Sequence, residues 1–138
     1  MTENGTEKLL IFIRSLISLS VGMVVAMLIL AMAFWLQSLL LDDLRHDSVV
    51  SIISFLVPFL FGGIATGLAN WTRKPLVTVA HGLLFGVLYL AMFIWGWIQS
   101  EEIGLGLISG LVSGGLVLAA VGSLPGLWMR LRFLRRRG

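Results

Sequence analysis

The segment Ile103–Met129 contains no charged side chain. An α-helix rises about 1.5 Å per residue, so about 20 residues cross a hydrocarbon core of about 30 Å. The segment is therefore long enough to span a membrane. Small residues recur at helical spacing on two adjacent faces, so that both faces are predicted to pack against other helices. These residues are Gly106, Gly110, Gly114, Gly115 and Ala119.

Three further apolar segments precede this one. Apolar residues make up 58% of the 138-residue chain and charged residues 12%, which is about half the charged share of a soluble domain. The predicted spans are residues 9–41, 49–69, 76–98 and 103–129, with a basic tail at 130–138. Because the connections are short, we predict an all-α membrane domain, a four-helix bundle with up-down-up-down topology.

The charged residues divide between the two ends of the predicted bundle. One end, called the basic end below, carries Lys8, Arg14, Arg73, Lys74, Arg130, Arg132, Arg135, Arg136 and Arg137. The positive-inside rule places such an end in the cytoplasm. We therefore predict a multi-pass protein of the inner (plasma) membrane with both termini in the cytoplasm.

The first and third spans resemble each other at an offset of 60 residues. When Leu16–Trp35 is placed over Leu76–Trp95, Gly22 meets Gly82 and the terminal tryptophans coincide. This register predicts two tandem two-helix repeats of parallel orientation, related by a twofold axis along the membrane normal. The alternative is that similar membrane composition arose independently in the two halves.

Two pairs of glycines have the spacing of helix-packing motifs. Gly63 and Gly67 form one GxxxG pair, and Gly82 and Gly86 form another. Removing the side chain at such positions lets two backbones approach closely within a membrane. These residues and Gly22 are therefore predicted to lie at helix contacts.

His81 is the one imidazole within a predicted span. It could serve as a haem or metal ligand or as a pH-sensing group, although a lone histidine lacks the partners that a protein-built metal site needs. The favoured interpretation is a hydrogen bond to Ser18, Ser20 or Thr78. No cofactor or metal is predicted. Since no nucleophile or acid–base pair stands out, the protein is expected not to be an enzyme.

Two charged clusters lie outside the spans. Carboxylates of the two acidic loops could bind a hard cation weakly, but a solvated cap is the simpler interpretation. Those loops contain Asp42, Asp43, His46, Asp47, Glu101 and Glu102. The tail arginines alternate with apolar residues and are predicted either to contact anionic lipid or to anchor the topology. The predicted lipid-contact residues are Arg130, Arg132, Arg135, Arg136 and Arg137. No nucleic-acid partner is expected, because the basic surface is too small.

The second and third spans also carry a family resemblance. From Phe61 to Tyr89 the chain reads Gly-Gly-x-x-x-Gly, a short basic loop, and then His-Gly-x-x-x-Gly-Val-Leu-Tyr. This pattern resembles the YrzE-like group of small four-span bacterial membrane proteins. The resemblance covers about a fifth of the chain and implies the architecture alone, since the group has no established activity.

Two function classes remain after these exclusions. The first is a non-catalytic accessory or assembly subunit that docks on other membrane helices, either of a larger complex or of further copies of this chain. The alternative is a channel or transporter for a small solute or ion, formed by the bundle or its oligomer. The spans offer few polar residues to line a pore, which favours the first class. The predicted partners are membrane lipids and other transmembrane helices.

Overall fold

A computed structural model describes residues 2–39, 48–99 and 105–138, and these ranges contain four α-helices. Each helix includes an apolar stretch long enough to cross a membrane, so the chain is a multi-pass integral membrane protein. The predicted all-α four-helix architecture is confirmed. The helices are α1 (Thr2–Leu39), α2 (Ser48–Ala69), α3 (Pro75–Gln99) and α4 (Leu105–Arg137).

Two helices are longer than the predicted spans. α1 begins at Thr2, and α4 continues to Arg137, so the predicted basic tail is helical almost to its last residue. At 1.5 Å per residue, α1 is about 57 Å long and α4 about 50 Å long, against a hydrocarbon core of about 30 Å. Both therefore project beyond the bilayer, and the arginines of α4 are carried on a helix.

α2 and α4 form the most extensive helix pair in the bundle. α1 packs mainly on α2, whereas α3 packs on α4 and also contacts α2 and α1. Across the described ranges, α1 makes no contact with α4. α2 is thus the central helix, and α1 is a peripheral one that exposes large apolar side chains along most of its length.

The helix contacts do not follow the predicted twofold axis. Such an axis would exchange α1 with α3 and α2 with α4, so the contact between α2 and α3 would require an equal one between α1 and α4. Among the described residues only the first occurs. Locally the two hairpins are alike. In the first hairpin Gly22 of α1 packs on Gly62 of α2, and in the second Gly82 of α3 packs on Ala119 of α4. The duplication itself stays a prediction from the sequence.

An aromatic cluster fills the interior between α2 and α3. Phe59, Phe85 and Tyr89 are fully buried. The rings of Phe59 and Tyr89 meet edge to face with their centroids 4.8 Å apart, and Phe55 and Phe93 extend the cluster with centroids 5.4 Å apart. Edge-to-face pairs contribute about 0.5–1.5 kcal/mol each beyond the burial of their area. The cluster therefore joins these two helices over several turns.

Candidate functional site

One face of α4, called the closed face, completes the bundle through backbone contact. A Cβ atom added at Gly63 would lie 2.5 Å from the Ala119 carbonyl oxygen, and one added at Gly122 would lie 2.7 Å from the Leu60 carbonyl oxygen. Real Cβ atoms essentially never come within 3.0 Å of another atom in this way. A side chain at either position would therefore force the helices apart. The closed face consists of Gly115, Ala119, Gly122, Ser123 and Gly126.

Most of the predicted packing residues meet on or near this face. Gly67 packs on the Ser123 backbone, and a Cβ atom at Gly82 would lie 2.7 Å from the Ala119 carbonyl oxygen. Ala119 is fully buried. A tight contact with a neighbouring helix is made by Gly22, Gly63, Gly67, Gly82, Gly86 and Gly115.

The adjacent face of α4 near its amino end, called the open face, has no such neighbour. Gly110 is exposed, and no described atom lies within 4 Å of an added Cβ. Gly114 reaches only a methyl group of Leu56, at 4.0 Å. The described part of the chain thus supplies no helix that packs closely on this face. Gly106 was predicted to share it, but the surroundings of Gly106 lie outside the described residues.

Two serines complete the open face. Ser109 and Ser113 are exposed, and the Ser113 hydroxyl donates a hydrogen bond of 2.9 Å to the Ser109 carbonyl oxygen. Because a hydroxyl bonded to its own helix needs no other partner, Ser113 can face lipid or a second helix. The open face therefore consists of Ser109, Gly110, Ser113 and Gly114, all of which have small side chains or none.

His81 joins α3 to α1 by a hydrogen bond. Its Nδ1–H donates to the Val77 carbonyl oxygen at 2.8 Å, so Nε2 accepts from the Ser15 hydroxyl at 2.9 Å. The predicted kind of interaction is therefore present, but the predicted partners are wrong. Ser18 instead donates to the Thr66 carbonyl oxygen at 2.8 Å, and the Thr78 hydroxyl donates to the carbonyl oxygen of Lys74, just before α3. With both ring nitrogens engaged, His81 offers no free lone pair to a metal or haem.

The region from Asn70 to Lys74 connects α2 to α3 at the basic end by successive turns. The Thr72 N–H donates to Asn70 Oδ1 at 3.3 Å, and the Lys74 N–H donates to Thr72 Oγ1 at 3.2 Å. The Lys74 carbonyl then accepts the Thr78 N–H at 3.1 Å, with Pro75 in the first turn of α3, where its missing N–H costs nothing. Because Asn70 and Thr72 are buried, this loop has a defined conformation.

Arg130 is held against this loop. It is half-buried, and its Nη2 donates to the Thr72 carbonyl oxygen. Arg130 lies one turn after the buried Leu127, so its side chain leaves α4 on the side that faces the bundle. Arg130 therefore ties α4 to the α2–α3 loop, and its predicted contact with anionic lipid stays a prediction.

The remaining tail arginines are largely at the surface. Arg132 lies over the Trp128 ring at 5.1 Å from its centroid, and Arg137 lies over the Phe133 ring at 4.8 Å. Stacking of this kind orders a guanidinium group and leaves its edge free for hydrogen bonds. Whether these arginines contact lipid stays a prediction.

The possible cation site at the acidic loops stays a prediction. Asp42–Asp47 and Glu101–Glu102 lie outside the described residues. Within the described part of the chain, no group of three or more histidine and acidic side chains is arranged to hold a metal ion.

Comparison with known proteins gives no relative. No protein-family model, curated protein or solved structure matches the chain. The resemblance of Phe61–Tyr89 to the YrzE-like group therefore stays a prediction.

Proposed function

We propose that the protein is a non-catalytic accessory or assembly subunit, which docks on another transmembrane helix through the open face of α4. The observation that carries this proposal is that two glycines of α4, Gly115 and Gly110, differ in whether another helix packs against them. Gly115 meets the Phe59 ring, at 2.8 Å from an added Cβ, whereas Gly110 meets no described atom within 4 Å.

The physics of association in lipid supports this use of the open face. Lipid tails are as apolar as leucine, so helices associate mainly through close packing and weak interhelical contacts. Glycine and serine let a second backbone come close enough to gain those contacts. Further along the same helix, Val117 and Val121 are more than half exposed and would keep a partner at a greater distance. The amino half of α4 is thus the better surface for a helix.

The aromatic cluster supports docking over the channel alternative. Phe59, Phe85 and Tyr89 fill the interior of the bundle with no exposed surface. A solute would therefore need a route between separate copies of the chain rather than through one bundle. A pore of that kind would also need polar groups on the exposed faces, which are mostly apolar.

The docking proposal is tested by crosslinking, since the chain contains no cysteine and one introduced thiol is unique. Gly110→Cys should form a crosslinked product in native membranes with a thiol-reactive photocrosslinker. Ala91→Cys, on an exposed position of α3, is the matched control and should give none. A product of twice the mass identifies a second copy, and any other discrete mass identifies a different membrane protein. Equal, diffuse labelling from both variants would contradict the proposal.

We also propose that the basic end lies in the cytoplasm, as the distribution of arginine and lysine favours. Cysteine introduced at Ser48 or Ser100 should then react with a membrane-impermeant thiol reagent added to intact cells. Lys74→Cys, at an exposed position of the loop at the basic end, should react only after lysis. The reverse labelling pattern would show that the basic end lies outside the cell and would contradict the proposed orientation.

A further inference from the structure

A cleft at the basic end lies between the α2–α3 loop and the projecting part of α4. It has a volume of about 340 Å³ and is lined by Arg73, Leu131, Leu134 and Arg135. Arg73 comes from the loop, and the other three residues come from α4. Two guanidinium groups from separate elements thus face one space together with two apolar side chains.

The positive charge around this cleft is not balanced by a carboxylate in the described part of the chain. No described carboxylate forms an ion pair with the cations of the α2–α3 loop and the tail, which are Arg73, Lys74, Arg130, Arg132, Arg135, Arg136 and Arg137. Arg73 lies close enough to the half-buried Arg130 for like-charge repulsion between them. The Nε of Arg130 is buried and has no hydrogen-bond partner among the described residues. A partly desolvated cluster of one sign favours a bound counterion.

From this arrangement we propose that the cleft binds the phosphate group of an anionic phospholipid. Arginine presents paired N–H donors that match phosphate oxygens, and Arg73 and Arg135 supply two such groups. Leu131 and Leu134 provide the apolar wall for the glycerol and the first acyl carbons. A free phosphate ion would gain nothing from those leucines, so the mixed lining favours an amphiphile. This site is independent of the docking function proposed for the open face.

Arg130 acts as a positioning residue for this site. Its hydrogen bond to the Thr72 carbonyl fixes the peptide that precedes Arg73, and the turns at Asn70 and Thr72 hold the rest of the loop. Arg135 also lines a second cleft of about 210 Å³ beside Trp128 and Arg132. A headgroup held between Arg73 and Arg135 can therefore extend along α4 toward a further cation.

The test is native mass spectrometry of the full-length protein in a non-ionic detergent, titrated with phosphatidylglycerol or with zwitterionic phosphatidylcholine. The wild type should retain one phosphatidylglycerol molecule more tightly than phosphatidylcholine. Arg73→Gln and Arg135→Gln should each weaken this first binding event about fivefold, and the double variant about 25-fold. Arg136→Gln removes an equal charge from an exposed position outside both clefts and should change the affinity less than twofold. Helical content and elution volume are compared to verify that each variant is folded.

Three results would overturn the proposal. If Arg136→Gln weakened binding as much as Arg135→Gln, the tail would attract lipid only through its total charge. If phosphatidylcholine bound as tightly as phosphatidylglycerol, the cleft would not select an anionic lipid. If millimolar inorganic phosphate displaced phosphatidylglycerol and was itself retained, the cleft would be a site for the free ion.

Discussion

The two faces of α4 carry the same types of residue and have opposite surroundings. On the closed face, Gly122 and Gly126 lie against the backbone of α2, and Ala119 is fully buried between α2 and α3. On the open face, Gly110 has no described neighbour within 4 Å. Spacing alone does not distinguish them, because both faces repeat at intervals of about one helical turn.

This difference shows what small residues do in a membrane protein. They lower the steric barrier to close approach, but they do not by themselves hold two helices together. The closed face gains its stability from what lies opposite, namely the glycines of α2 and the aromatic rings. The open face has the same low barrier, but no helix of the described chain packs closely on it.

The largest expected effect distinguishes the two faces directly. Ala119→Leu should lower the free energy of unfolding by about 2–3 kcal/mol, because the added atoms have no space between Gly63 and Gly86. Gly110→Leu should change it by less than about 0.5 kcal/mol, as for other exposed sites. Both values come from unfolding in mixed detergent micelles followed by circular dichroism, at concentrations where the protein is monomeric. Ala91→Leu adds the same bulk at an exposed site of α3 and is the control. Equal losses at residues 110 and 119 would remove the distinction between the faces.

A medium effect sharpens the description of the closed face. A methyl group at Gly122 meets the Leu60 carbonyl oxygen of the backbone, whereas one at Gly115 meets the ring of Phe59. Since a ring can move more easily than a helix backbone, Gly122→Ala should cost about 1–2 kcal/mol and Gly115→Ala less than about 1 kcal/mol. The same unfolding titration measures both. A larger loss of unfolding free energy for Gly115→Ala would mean that the Phe59 ring cannot move, because its contact with Tyr89 holds it in place.

The smallest effect concerns the open face alone. Gly110→Ala should change the free energy of unfolding by less than about 0.5 kcal/mol, with a gain if anything, because alanine restricts the unfolded chain. Ala91→Gly makes the reverse change at an exposed position and should show the opposite sign. A loss of more than about 1 kcal/mol for Gly110→Ala would contradict an open face.

The four helices could be predicted from the sequence, because a long uncharged segment in a bilayer has few alternatives to a membrane-spanning helix. The rotation of each helix about its axis was not predictable in the same way. His81 meets Ser15 and not Ser18, Ser20 or Thr78, because the relative height and rotation of α1 and α3 decide the partner. A signal for the closed face was nevertheless present: the run from Gly115 to Gly126 extends over about three turns, farther than the Gly106–Gly114 run.

Arg130 illustrates a second limit. Its position one turn after Leu127 indicates the inward side of α4, but the Thr72 carbonyl becomes a possible acceptor only when the loop from another part of the chain is known. The same applies to the cleft between Arg73 and Arg135, whose two cations are separated by 62 residues in the sequence (135 − 73). Contacts between distant segments depend on tertiary packing, which a pattern within one helix does not contain.

The central place of α2 has a consequence for biosynthesis. The largest contact surface of α2 is with α4, which leaves the ribosome later than α2 and α3. At roughly 5–20 residues per second, several seconds pass between synthesis of the end of α2 and the end of α4. During that interval Gly63 and Gly67 face lipid or the insertion machinery, and a chain arrested after α3 would keep them exposed. Such a truncated chain would present membrane quality control with a glycine surface that is covered only after α4 packs on α2.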